Sequence, residues 1–423
     1  MLVAAMALVG APAVALTAFC VGESCATEGG VATAVPFCPL PADLRAGIEA
    51  GFRQGRSPDV MAATAGSEVV TIVDGTPVSW PSTAPHDARV PIVFWGAGVS
   101  GAPLPDGTGL DQIAPTLASI LSFDRPHPQV RAGVAVDGLA SGQRPRLVVV
   151  IAMKGVGTAA FDAQRATRRS IRNLTSEGAG TLEGSTGSLP LDPAASLTTI
   201  GTGALPTQHG ITASFVRNDK GELTPAWGDD APLSVLSTLA EDLDRRFGER
   251  SSIGLVARDA SDRGLVGGSW YPEHDHDDVR VGADPLASVG SMLDRGFGAD
   301  DTPDMIAVSL GGSAAKMIRT TIAIDSLVRQ AQVPATFVLA GTGQASTVTT
   351  ASSIADDVDT AIGAPVVTAA VAGGLFLDQA VMAANDITSD DVVRGMDAMK
   401  GPDGTPLFAD AYPGFAISFS RYC

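Results

Sequence analysis

Short runs rich in Val, Ile, Leu and Phe recur along this chain, at 69–73, 91–95, 147–151, 253–256, 305–310, 336–339 and 414–419. Several are apolar almost throughout, as in Leu147-Val148-Val149-Val150-Ile151, and a run without polar alternation predicts a strand covered on both faces. Helical periods fill the intervals, at 40–54, 113–121, 159–173, 232–247, 318–331 and 390–399. Such alternation points to the α/β class: a mostly parallel central sheet with helices on both faces. Two segments break the pattern. Residues 133–146, with Gly138, Gly142 and Pro145, read as a linker, and 178–188, rich in Gly, Ser and Thr, as an exposed loop.

With 45% hydrophobic and 17% charged residues, the chain can fill a core and is too poor in charge for disorder. Its net charge is −18, and its only lysines are Lys154, Lys220, Lys316 and Lys400. That balance argues against phosphate-neutralising contact with nucleic acid and against docking on an anionic bilayer. The cysteines, Cys20, Cys25, Cys38 and Cys423, all lie toward the chain ends. An even number so placed suits disulfide staples in an oxidising compartment, and no second pair or nearby histidine completes a tetrahedral metal set. Residues 1–19 form an uncharged, alanine-rich apolar run broken by Pro12. Its length fits a secretory segment, or else a short buried or anchoring helix. No later apolar run reaches the roughly 18 residues of a membrane span. The expected location is secreted or in the cell envelope.

Residues 196–211 read SLTTIGTGALPTQHGI, a Thr-Gly turn followed by a Pro and a His-Gly pair. Arg56-Ser57-Pro58-Asp59-Val60 is followed by VPIVFWGAGV at 90–99 and DQIAPTLASIL at 111–121. A third block is PDMIAVSL at 303–310 with AIDSLVRQ at 323–330. Together these resemble the alkaline phosphatase superfamily, especially its type I phosphodiesterase and nucleotide pyrophosphatase branch. The first block looks like the family's strand–turn–helix signature. The second resembles the part that brings the last metal-binding histidine and closes the sheet, and the third the strand and helix between the middle metal ligands. The likeness implies an alkaline-phosphatase-like fold over most of the chain after residue 30.

In the family, the block found here at 56–121 comes last, and residues 411–423 resemble what precedes it. Joining 134–423 to 30–133 restores the family's order, which implies a circular permutation. The chain then divides into a tail at 1–29, a part equivalent to the family's C-terminal portion at 30–133, a linker at 134–146, and the family's N-terminal and middle portions at 147–423. Residues 30–423 together would form one domain. The permutation implies that Cys423 lies beside Cys20, Cys25 or Cys38, close enough for a disulfide. A truncated tandem product that pairs with a second copy is the other reading.

Members of the superfamily hold two metal ions with three aspartates and three histidines, and use a Thr or Ser nucleophile that the metals activate. Carried over position by position, the resemblance implies a lapsed site. Met153 and Lys154 stand where a ligand Asp and a Gly belong, and Pro193, which has no hydroxyl, falls at the nucleophile. Ser313 and Met317 replace the middle Asp and His, Gly341-Thr342-Gly343 the Asp-His-Gly turn, and Trp80 the last His. Of the five histidines, His86, His127, His209, His274 and His276, none falls on a ligand position, and His209 belongs to the architectural His-Gly pair. Lys154 would occupy the space of a lost cation.

The expected function is then a pseudoenzyme or binding protein, without cofactor, that takes an anionic or phosphorylated small ligand at the carboxyl ends of the strands. The alternative is a working phosphatase or phosphodiesterase with displaced ligands and bound zinc or calcium. Its candidate ligands are His274, Asp275, His276 and Asp277, within Glu273–Asp278, a run that otherwise reads as a solvated acidic loop. His86-Asp87 offers an acid–base pair or a capped turn. Ser185, Thr186 and Ser188 offer hydroxyls with no suitably spaced histidine.

Overall fold

Strand Leu147–Met153 is buried along its whole length and takes the middle place in a seven-stranded sheet. The computed structural model describes residues 35–423 apart from 67–68, 74–75, 84–88, 168, 269–276, 344–347, 350–352 and 402. Across the sheet the order is Asp278–Val281, Ile253–Ala257, Asp304–Leu310, Leu147–Met153, Ala335–Gly341, Arg89–Gly96 and Ala179–Ser185. The first five run parallel, with Leu147 in register with both Asp304 and Ala335. Arg89–Gly96 is antiparallel to both of its neighbours.

Alternate residues of the central strand feed opposite cores, as the two-residue strand period requires. Val148, Val150 and Ala152 pack with Ile113, Leu117, Leu197, Ile200 and Leu243 on one face. Leu147, Val149, Ile151 and Met153 pack with Phe161, Ile171, Met292, Ile318 and Val328 on the other. The second core is covered by Thr158–Thr167, Arg169–Glu177, Pro285–Asp294 and Ala314–Gln330. The mixed α/β class with a mostly parallel central sheet is therefore the architecture observed.

A second, antiparallel sheet lies outside the sequence expectation. Its order is Val367–Val371, Gly374–Leu377, Val60–Thr64 and Phe408–Pro413. One face packs against Ile354–Ile362 and Ser389–Asp397, and the other against Ala42–Gly51 and the 3₁₀ segment Gly414–Tyr422. Seven of the 20 residues in its short strands are alanine or glycine, too weak a pattern to stand out.

Several local expectations are corrected. Residues 414–419 form part of a 3₁₀ helix rather than a strand, and only Gly414 and Ile417 of that helix are buried, a spacing of three rather than two. Residues 178–188 hold the strand Ala179–Ser185, not a loop. Their small residues serve close pairing: a Cβ on Gly184 would stand 2.6 Å from the Val90 carbonyl oxygen. Residues 196–202 are helical, not a strand, because Asp192 caps and Pro193 begins Pro193–Thr202. The helix expected over 232–247 is confined to Leu239–Arg246, started by a Thr238/Glu241 capping box. Residues 133–146 contain neither helix nor strand.

A disulfide ties Cys423 to the start of the described residues. Cys38 and Cys423 form a disulfide with their Cα atoms 5.1 Å apart, across a sequence separation of 385. Cys20 and Cys25 lie outside the described residues. No helix among the described residues is long and apolar enough to cross a membrane.

Candidate functional site

Parallel strands direct their carboxyl ends to one edge, where the following turns can gather side chains from distant parts of the sequence. Lys154 follows strand Leu147–Met153, and its backbone N–H donates to the Leu310 carbonyl at 2.9 Å. Its ammonium donates to Asp259 Oδ2 at 2.8 Å and Asp262 Oδ1 at 2.6 Å. Both aspartates follow strand Ile253–Ala257. Asp259 caps the 3₁₀ helix Ala260–Leu265, and the fully buried Asp262 accepts from the Arg258 and Asp259 N–H groups through Oδ2. Burial alone would lower the Lys154 pKa, but the two carboxylates outweigh it and hold the ammonium above the usual lysine range. Burial likewise opposes ionisation of Asp259, and the hydrogen bonds from Lys154 and Ser261 prevail and lower its pKa.

Two further cations stand at this edge. Arg258 Nε lies 2.8 Å from where a Gly311 side chain would begin, and Lys316 Cδ lies 3.9 Å from the same point on Gly312. Both side chains are exposed and make no hydrogen bond or ion pair among the described residues. Ser313 caps the helix Ala314–Gln330 between them by accepting from the Lys316 N–H. Gly311-Gly312-Ser313 is thus a turn flanked by two uncommitted cations.

The other sequence-derived positions are structural. Met153 and Met317 are buried in the core. Thr342 Oγ1 accepts from the Gly155 N–H at 2.9 Å, and the Thr342 and Gly343 N–H groups donate to the Met153 and Val156 carbonyls, so this turn clasps the end of the central strand. Trp80 packs against Phe408, ring centres 5.5 Å apart, in the core of the second sheet. Beside Pro193, the buried Asp192 carboxylate accepts from the N–H groups of Ala194, Ala195 and Ser214 and from the Ser214 hydroxyl. Burial raises the Asp192 pKa against those four donors. An oxygen so enclosed is a cap, not an attacking group.

His209 is likewise committed. The Ile211 N–H donates to its Nδ1 at 3.1 Å, which places the ring proton on Nε2, 3.2 Å from Thr199 Oγ1. Burial, reinforced by Arg53 and Arg56, lowers its pKa to about 3, so the ring is neutral. Those arginines join the two signature blocks. Arg53 donates to the Thr207 and Gln208 carbonyls, and Arg56 to those of Gly210 and Leu233.

The acidic cluster is only partly described: His274, Asp275 and His276 lie outside the described residues, as do His86 and Asp87. Asp277 stands 4.0 Å from the Arg263 guanidinium, and Asp278 accepts from Arg280 and Arg295. Among the described residues, no three His, Cys, Asp or Glu side chains are grouped to hold a metal ion.

Asp259, Asp262 and Arg258 are the residues that sequence reasoning missed at this edge. Their signal is positional: ionisable residues placed directly after an all-apolar parallel strand. Neither a protein-family model nor a curated protein matches this chain.

Proposed function

We propose that this chain is an extracytoplasmic, circularly permuted protein of alkaline-phosphatase-like scaffold. It binds an anionic or phosphorylated small ligand at the strand ends without two-metal hydrolysis. One observation carries this reading: the Lys154 ammonium sits between Asp259 and Asp262 at that edge, one residue past the position where the resemblance puts a metal-binding carboxylate. A resident ammonium there neutralises the carboxylates that a divalent ion would otherwise use. Pro193 supplies no hydroxyl, and the neighbouring Asp192 is enclosed by four donors. Arg258 and Lys316, uncommitted on either side of Gly311-Gly312-Ser313, are the groups that would meet a phosphate. The disulfide between Cys38 and Cys423 is compatible with an oxidising compartment.

The test combines elemental analysis of the purified chain, nitrophenyl phosphate and bis(nitrophenyl) phosphate assays in Zn²⁺, Mn²⁺ and Ca²⁺, and calorimetry with inorganic phosphate and AMP. The expected outcome is no turnover, with binding of at least one phosphate probe weakened about tenfold by Arg258→Ala. Stoichiometric metal together with turnover abolished by chelator would establish an active hydrolase and overturn the reading.

A further inference from the structure

A cleft of about 470 Å³ opens on another part of the molecule and shares no residue with the strand-end site. Its size is that of a small-molecule site. Widely separated segments build it: Gln54 and Asp59 before the second sheet, Arg217 on the short strand Phe215–Arg217, Gln379 and Ser389 as the first residues of two helices, and Phe415.

The charges in this cleft are already spent on each other. Among the described residues, Asp59 and Arg217 are the only charged ones lining it, and they form an ion pair. Arg217 also donates to the Gly221 carbonyl at 2.8 Å and lies over the Phe376 ring, while Asp59 Oδ2 also accepts from the Leu377 N–H at 2.8 Å. No cation is left for an anion. The Gln54 and Gln379 amides and the Ser389 hydroxyl make no hydrogen bond among the described residues. Each can both donate and accept. Phe415 is 57% exposed and supplies an apolar wall. It sits on the 3₁₀ segment that the Cys38–Cys423 disulfide anchors, so the ring is carried by a fixed element.

Amides and a hydroxyl around an exposed aromatic face, with no net charge, suit a ligand whose hydroxyls ring an apolar face. We propose that this cleft binds a neutral saccharide, its C–H face against the Phe415 ring and its hydroxyls shared among Gln54, Gln379 and Ser389. The electron-rich ring face attracts the polarised C–H groups of a sugar.

The test uses the full chain with glucose, N-acetylglucosamine, cellobiose and chitobiose, and with glucose 6-phosphate and inorganic phosphate as charged counterparts. Saturation-transfer NMR and calorimetry read binding. At least one of the four neutral sugars binds, and Phe415→Ala and Gln379→Ala each weaken it about tenfold with melting temperature unchanged. Arg258→Ala, at the strand-end site, leaves this binding unaltered, which separates the result from the phosphate reading above. No binding of any neutral sugar at about 10 mM, binding that survives both substitutions, or tighter binding of glucose 6-phosphate than of glucose overturns the proposal.

Discussion

Replacing Lys154 by Met keeps the length of the stem and removes the ammonium, leaving the buried Asp262 without its cation. Removing one partner of a buried pair costs about 3–5 kcal/mol, and Lys154→Met is expected to lower unfolding stability by about that much in urea titration at pH 7. A loss below about 1 kcal/mol would show that the cluster is not a buried ion site. The pH limits follow from the shifts. The Lys154 pKa is raised, so its contribution is present below the ordinary value of 10.5 and is lost as pH rises through the folded value. The Asp259 pKa is lowered, so its contribution is present above the ordinary value of 3.8 and is lost as pH falls through the folded value. Lys154 itself was singled out in the sequence only through the family resemblance, which puts it beside a lost metal-ligand position. Its partners were not, being 105 and 108 positions away, brought to the same edge only because both strands pair in parallel with Asp304–Leu310 between them.

Elements with strong apolar runs were readable, and those built from small residues were not. Leu147–Met153 and Asp304–Leu310 announce themselves, whereas Ala179–Ser185, with two glycines, imitates a loop. Helix Ala42–Gly51 shows why small residues matter to packing. The Leu189 N–H donates to the Gly47 carbonyl at 2.8 Å, and a Cβ on Gly51 would stand 1.9 Å from the Leu189 carbonyl oxygen. Gly51→Ala must push these segments apart, with an expected loss of about 1–3 kcal/mol in thermal or urea unfolding. Strand Phe408–Pro413 carries a pH-sensitive contact: Asp410 Oδ2 accepts from the Phe37 N–H at 2.6 Å. Burial, with Asp397 nearby, raises the Asp410 pKa to about 6 against that hydrogen bond. A raised carboxyl contributes stability below 3.8 that is lost as pH rises through about 6. Melting temperature should therefore fall between pH 4 and pH 7, and Asp410→Asn should flatten that slope; an unchanged slope would assign it to other groups.

For the molecule as a whole, the proposed permutation makes a construction test possible. Since Cys38 and Cys423 have Cα atoms only 5.1 Å apart, a short glycine bridge can join residue 423 to residue 38. A chain opened within 133–146, where no helix or strand would be cut, and joined from 423 to 38 should fold with the same far-ultraviolet circular dichroism spectrum and a comparable melting temperature. An unfolded or aggregated product would mean that the existing order of segments is required for folding. That Cys423 meets Cys20, Cys25 or Cys38 was an implication of the resemblance; the placement of the cysteines suggested staples but not which residues they join, and the structure pairs Cys423 with Cys38. The second sheet was not legible at all, since its strands come from opposite ends of the sequence and bring too little hydrophobic contrast to be recognised singly.

The bond between Cys38 and Cys423 also turns residues 38–423 into a covalent ring. A protease that cuts once inside it linearises the molecule without dividing it, so both pieces travel together until the bridge is reduced. In a compartment where nicks accumulate and reductant is scarce, the chain can lose its backbone continuity and still keep its mass.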